Sequence, residues 1–133
     1  MDRVFLDANV IFSAAYAPDS HLLGLWSRSD IELVTSLLAL EEARRNLAAH
    51  NREGLVVLDN LIAGMTIVAG TRAGNLPSDI QLADKDAPIL TAAIESGCSH
   101  LLTGDKRHFG DLFGHNVGGV MIQKPAQYLP GGL

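Results

Sequence analysis

Residues 1–16 read MDRVFLDANVIFSAAY, and three patterns follow one another in that stretch. Val4-Phe5-Leu6 is apolar without polar alternation, as in a strand covered on both faces. Asp7 ends the run with a carboxylate. From Asn9 the period changes, and Val10, Ile11, Ala14 and Ala15 recur at helical spacing. A buried strand, an acid at its carboxyl end and an immediate helix are how a parallel α/β structure begins. Such sheets bind ligands beyond the carboxyl ends of their strands.

The same alternation continues along the chain. After a turn at Pro18-Asp19-Ser20, residues 21–29 (HLLGLWSRS) predict a second short helix. Residues 31–35 (IELVT) predict a strand, and Ser36 is an N-cap ahead of the helical stretch 37–50, LLALEEARRNLAAH. Residues 52–63 predict another helix, stopped at Gly64. Residues 66–69 (TIVA) predict the third strand, and the loop 70–85 leads to Asp86. Residues 87–96 (APILTAAIES) predict a helix with Pro88 in its first turn and Gly97 past its end. Residues 100–103 (HLLT) predict the fourth strand, followed by Gly104-Asp105. Residues 117–122 (VGGVMI) predict a fifth strand, weakened by its glycines, and residues 124–129 a last helical turn. The expected fold is a three-layer α/β/α sandwich around a mainly parallel sheet, with the first and fourth strands adjacent.

Composition narrows the function. The chain has 133 residues, 47% of them hydrophobic and 19% charged, which predicts one folded domain over residues 1–133. The start of the chain has no signal-peptide pattern, and no apolar run is long enough for a membrane span. A single cysteine, Cys98, excludes an internal disulfide framework and a cysteine-rich zinc site, and fits the reducing cytoplasm. The net charge of −5 argues against binding nucleic acid through a broad basic face. It does not argue against a nuclease, whose metal site is itself acidic. There is no P-loop and no HExxH pair.

Four acids then stand out, each with a plainer alternative. Asp7 would serve as the cap of the first helix, and Asp86 as the cap before Ala87-Pro88. Glu41 or Glu42 would pair with Arg44 or Arg45 across helical turns. Gly104-Asp105-Lys106 would serve as an ordinary polar turn. Together they are harder to dismiss. The fold gathers Asp7, Asp86, Asp105 and one of the two glutamates at one sheet edge, where their repulsion needs a cation. Oxygen ligands favour Mg²⁺ or Mn²⁺ over zinc, and such ions suit in-line hydrolysis of a phosphodiester. Ala39, Leu40, Ala43 and Leu47 form the apolar face of the glutamate-bearing helix. Glu42 lies only slightly nearer that face than Glu41.

FLDANVIFSAAY, LVTSLLALEEARRNL, DKDAPILTAAIESGCSHLLTGDKRHFG and VMIQKPAQYL resemble, in order and spacing, the successive blocks of a PIN domain. The resemblance spans nearly the whole chain. It implies an α/β/α metal-dependent ribonuclease, many single-domain examples of which are VapC-like toxins of toxin–antitoxin pairs. The implied acidic site is Asp7, Glu42, Asp86 and Asp105, holding Mg²⁺ or Mn²⁺. Asn9 and Thr103 match the supporting polar positions. Asp84 would be an outer partner of the ion. Ala8 departs from the family, which often has threonine or serine there.

The resemblance further implies an RNA substrate, an antitoxin partner and a homodimer. A binding module with vestigial hydrolysis is the alternative. His108, in DKRHFG, reads as a surface histidine. Lys106, Arg107, Arg44 and Arg45 are candidate phosphate contacts. Val10, Ile11, Phe12, Tyr16, Leu22, Leu23, Leu25 and Trp26 are more apolar side chains than one small domain is expected to bury, which predicts an interface patch.

Overall fold

The computed structural model describes residues 1–70, 76–77, 79–82 and 86–129. The expected outer partner Asp84 lies outside them. Among the described residues, six strands form one sheet. They are β1 (Asp2–Leu6), β2 (Ile31–Ser36), β3 (Met65–Val68), β4 (His100–Leu102), β5 (Asn116–Val117) and β6 (Val120–Gln123). Their spatial order is β3-β2-β1-β4-β6-β5, parallel throughout except for the antiparallel pair β5–β6.

Helices α1 (Ala8–Tyr16), α2 (Leu37–His50) and α3 (Gly54–Ile62) pack on one another. Helix α4 (Ala87–Glu95) contacts β2 and β4. Short helices α5 (Lys106–Phe109) and α6 (Pro125–Tyr128) follow β4 and β6. The chain moves outward from β1 through β2 to β3, then returns past β1 to β4. Right-handed crossovers therefore put α1–α3 on one face and α4 on the other. The result is the expected three-layer arrangement.

β1 lies between β2 and β4, so its side chains meet protein on both faces. This is why Val4, Phe5 and Leu6 are fully buried. In α1 the buried residues are Ala8, Val10, Ile11, Ala14 and Ala15, one helical face. In α2 they are Ala39, Leu40, Ala43 and Leu47, and the Ser36 hydroxyl accepts from the Ala39 N–H at 3.2 Å, the predicted cap. Gly97 ends α4 at φ +73°, a conformation glycine adopts without steric cost.

Two stretches differ from expectation. Residues 117–122 are not one strand. Gly118 and Gly119, at φ +59° and +91°, turn the chain between β5 and β6. Two consecutive left-handed residues make the two-residue hairpin turn whose twist matches its strands. The short helix predicted at 21–29 is a 3-10 turn confined to His21–Leu25.

The apolar excess of the first third is largely absorbed. Val10, Ile11 and Leu25 are buried, while Phe12, Leu22, Leu23 and Trp26 pack half-buried against the core. The Trp26 indole N–H also donates to the Leu61 carbonyl at 3.0 Å. Tyr16 is the member of that group left exposed. The expected patch therefore does not form there as anticipated.

Candidate active site

The carboxyl ends of β1 and β4 are level. Leu6 stands opposite Leu102, and the Asp7 N–H extends the ladder to the Leu102 carbonyl at 3.1 Å. Asp7 and Thr103 thus leave the sheet side by side. This is the point where strand order reverses, and neighbouring connections diverge to opposite faces there and open a crevice. A cavity of about 480 Å³ occupies that position, lined by Asp7, Glu42, Asp86 and Asp105 together with Asn9 and Asn46.

Asp7 is only 4% exposed. One carboxylate oxygen, Oδ1, accepts from the Ala8 N–H at 2.7 Å. The other, Oδ2, accepts from the Thr103 hydroxyl at 2.9 Å and from the Asn9 amide at 3.3 Å. The Thr103 oxygen also accepts from Asn9 Nδ2 at 3.2 Å and from the Asp105 N–H at 3.1 Å. Asn9 Oδ1 accepts from the Gly104 N–H at 2.8 Å. Thr103 and Asn9 therefore connect the two strand ends and fix the orientation of Asp7. Asp7 caps α1 through Oδ1 and also lines the cavity, so the two readings of this residue are compatible.

Burial pushes the Asp7 carboxyl up to about 6 against these hydrogen bonds, and the negative charges of Glu42 and Asp86 add to the rise.

Asp86 is buried at the start of α4, and its side chain makes no capping hydrogen bond. Asp105 caps α5, its Oδ1 accepting from the N–H groups of Arg107 and His108 at 3.1 Å each. Burial by itself would raise the Asp105 carboxyl. The His108 ring and these backbone donors outweigh burial and hold it below its ordinary value.

On α2, half-buried Glu42 lines the cavity, whereas Glu41 is exposed and does not. Four carboxylates from four segments thus face one space. Their mutual repulsion and the raised Asp7 carboxyl fit a site completed by a divalent cation with oxygen ligands.

His108 corrects the sequence reading. It is half-buried, with Nδ1 at 2.7 Å from Asp105 Oδ2 and 3.4 Å from Asp86 Oδ2. The plainer alternative for residues 104–106 was an ordinary polar turn; instead the chain after Asp105 winds into a helix and brings residue 108 back over residue 105. Asn46 and Ser13 also line the cavity, one helical turn beyond Glu42 and Asn9. That i, i+4 spacing is the signal that marks them in the sequence. Of the candidate phosphate contacts, Arg44 pairs with Asp59 at 3.5 Å.

A PIN-domain family model matches residues 3–107. Among solved structures, one similar fold is VapBC2 of Rickettsia felis bound to a promoter DNA fragment. It is 15% identical, with TM-score 0.66, covering 92% of this chain and 98% of that one. VapC20 of Mycobacterium tuberculosis, a sarcin-ricin loop cleaving toxin, is 14% identical, with TM-score 0.61, covering 86% and 98%. FitAcB of Neisseria gonorrhoeae is 17% identical, with TM-score 0.54, covering 92% and 97%. No curated protein sequence matches this chain at a significant level.

Proposed function

The chain belongs to the PIN-domain family, and from that premise we propose that it is a metal-dependent ribonuclease, the toxin of a toxin–antitoxin pair. The observation that supports this most is the convergence of Asp7, Glu42, Asp86 and Asp105 on one cavity at the switch point of the sheet. These four carboxylates would hold Mg²⁺ or Mn²⁺. Such an ion, when bound, polarises a phosphodiester and acidifies water. The protein's own contribution is preorganisation. Thr103 and Asn9 hold Asp7 in one orientation, so the site is aligned before substrate arrives. Asn46 and Ser13, which line the cavity, would hydrogen-bond an RNA strand.

The test is cleavage of a structured RNA with and without divalent cation, for wild type and Asp86→Asn. We expect cation-dependent scission that the variant lacks. RNA binding without scission under every ion would favour the vestigial binding module.

The same reading assigns the protein to the cytoplasm as one domain, a homodimer bound by an antitoxin. The VapBC2 and FitAcB relatives support the partner. Exposed Leu37, Leu38 and Tyr16 are apolar surface available for the dimer. An antitoxin arginine or lysine among the carboxylates would compete with the cation. Sedimentation at micromolar concentration tests the dimer, and a strict monomer rejects it. Inhibition by the partner should weaken as Mg²⁺ rises; indifference to Mg²⁺ would reject inhibition through the acidic site.

A further inference from the structure

We propose that His108 is a direct ligand of the metal centre, and that its imidazole makes the centre a mixed nitrogen–oxygen site preferring Mn²⁺ to Mg²⁺. The proposal rests on the metal centre assigned above and adds a residue outside its four carboxylates.

The placement of the ring follows from the local fold. Asp105 Oδ1 accepts the N–H groups of Arg107 and His108 and starts α5. One turn later the His108 side chain points back over its own cap. Its Nδ1 then faces two carboxylates from different segments: Asp105 Oδ2 at 2.7 Å and Asp86 Oδ2 at 3.4 Å. The donor atoms of Asp86, Asp105 and His108 all lie within 4.8 Å of one another. Adjacent donors around an octahedral ion with bonds of about 2.1 Å are roughly 3 Å apart. The two nitrogen–oxygen distances bracket that separation. A cation joining Asp86 to Asp105 would therefore meet a ring nitrogen at ligand spacing, displacing the proton of the His108–Asp105 hydrogen bond.

The identity of the third donor bears on the choice of ion. Mg²⁺ is hard, favours oxygen and keeps its waters. Mn²⁺ also accepts carboxylates but takes an imidazole nitrogen more readily. A site of carboxylates alone discriminates little between them.

The alternative is that His108 is only a cationic neighbour of Asp86 and Asp105. Pulsed electron paramagnetic resonance separates the two cases. Untagged protein with one equivalent of Mn²⁺ should show the nitrogen modulation of a directly bound imidazole. Labelling the histidines with nitrogen-15 should change that pattern, which tests ligation without any substitution. In His108→Gln the coupling should vanish while Mn²⁺ stays bound. By calorimetry that variant should weaken Mn²⁺ about tenfold and Mg²⁺ less than about threefold. Bound Mn²⁺ without nitrogen coupling, or coupling that survives in His108→Gln, overturns the proposal and leaves the metal centre standing. Failure of wild type to bind either ion overturns both.

Discussion

Replacing Asp7 by asparagine should change the pH dependence of stability in a way that isolates one buried charge. In the metal-free protein the Asp7 carboxyl is raised from 3.8 to about 6, first by burial and then by Glu42 and Asp86. The unfolded chain has no such rise. Folding is therefore supported by protonated Asp7 below the unfolded value, and that support is lost as pH climbs through the folded value. A rise of about two pH units at about 1.4 kcal/mol each makes the loss about 3 kcal/mol between roughly pH 4 and pH 7.

Asparagine carries no charge and does not suffer this loss. It has a different, fixed cost. Both carboxylate oxygens of Asp7 accept hydrogen bonds, and an amide must turn its NH₂ toward a donor on one side. That mismatch costs about 1–2 kcal/mol at any pH. The variant should then be less stable than wild type near pH 4 and more stable, by about 1–2 kcal/mol, near pH 8. For a chain of this size the swing corresponds to roughly 10 °C in relative melting temperature. The assay is paired thermal and urea unfolding in EDTA across that pH range. Other titrating groups cancel to first order in the difference. A stability difference that stays constant with pH would refute the raised carboxyl and the crowding that explains it.

Three further outcomes follow from named contacts. Glu42→Gln should reduce RNA cleavage about tenfold or more beyond Glu41→Gln, because only Glu42 lines the cavity; the reverse order in a kcat comparison would reject the assignment. Thr103→Val removes a hydroxyl that donates to Asp7 and accepts from Asn9 and Asp105. It should cost about 1–3 kcal/mol in urea unfolding, and an unchanged midpoint would contradict the network. Gly118→Ala would put a Cβ 2.9 Å from Ile94 Cδ1 at a φ of +59°. It should lower stability by about 1–2 kcal/mol, measured by thermal melting, and no loss would mean the hairpin turn is relaxed.

The sequence by itself determined the order of elements and the α/β class. Unbroken apolar runs such as Val4-Phe5-Leu6 belong to strands covered on both faces, and the 3.6-residue period of α1, α2 and α4 is local. It also singled out Asp7, Asp86 and Asp105, because each follows or precedes such an element. Its helical period separated Glu41 from Glu42 only weakly, and the resemblance made the choice of Glu42. Neighbours on a helix differ by about 100° in direction, and only the packing of α2 decides which of them faces the cavity. The Gly118–Gly119 turn was misread because apolar residues on either side sustain a strand pattern through it, whereas two positive φ angles reverse the chain. His108 was misread for a related reason. Its meeting with Asp86 joins residues 22 positions apart, and that proximity exists only once α5 has wound and α4 has packed against β4. Residue type and period are properties of short windows. Which side chains share a cavity depends on the strand order β2-β1-β4, set by the burial of every element at once.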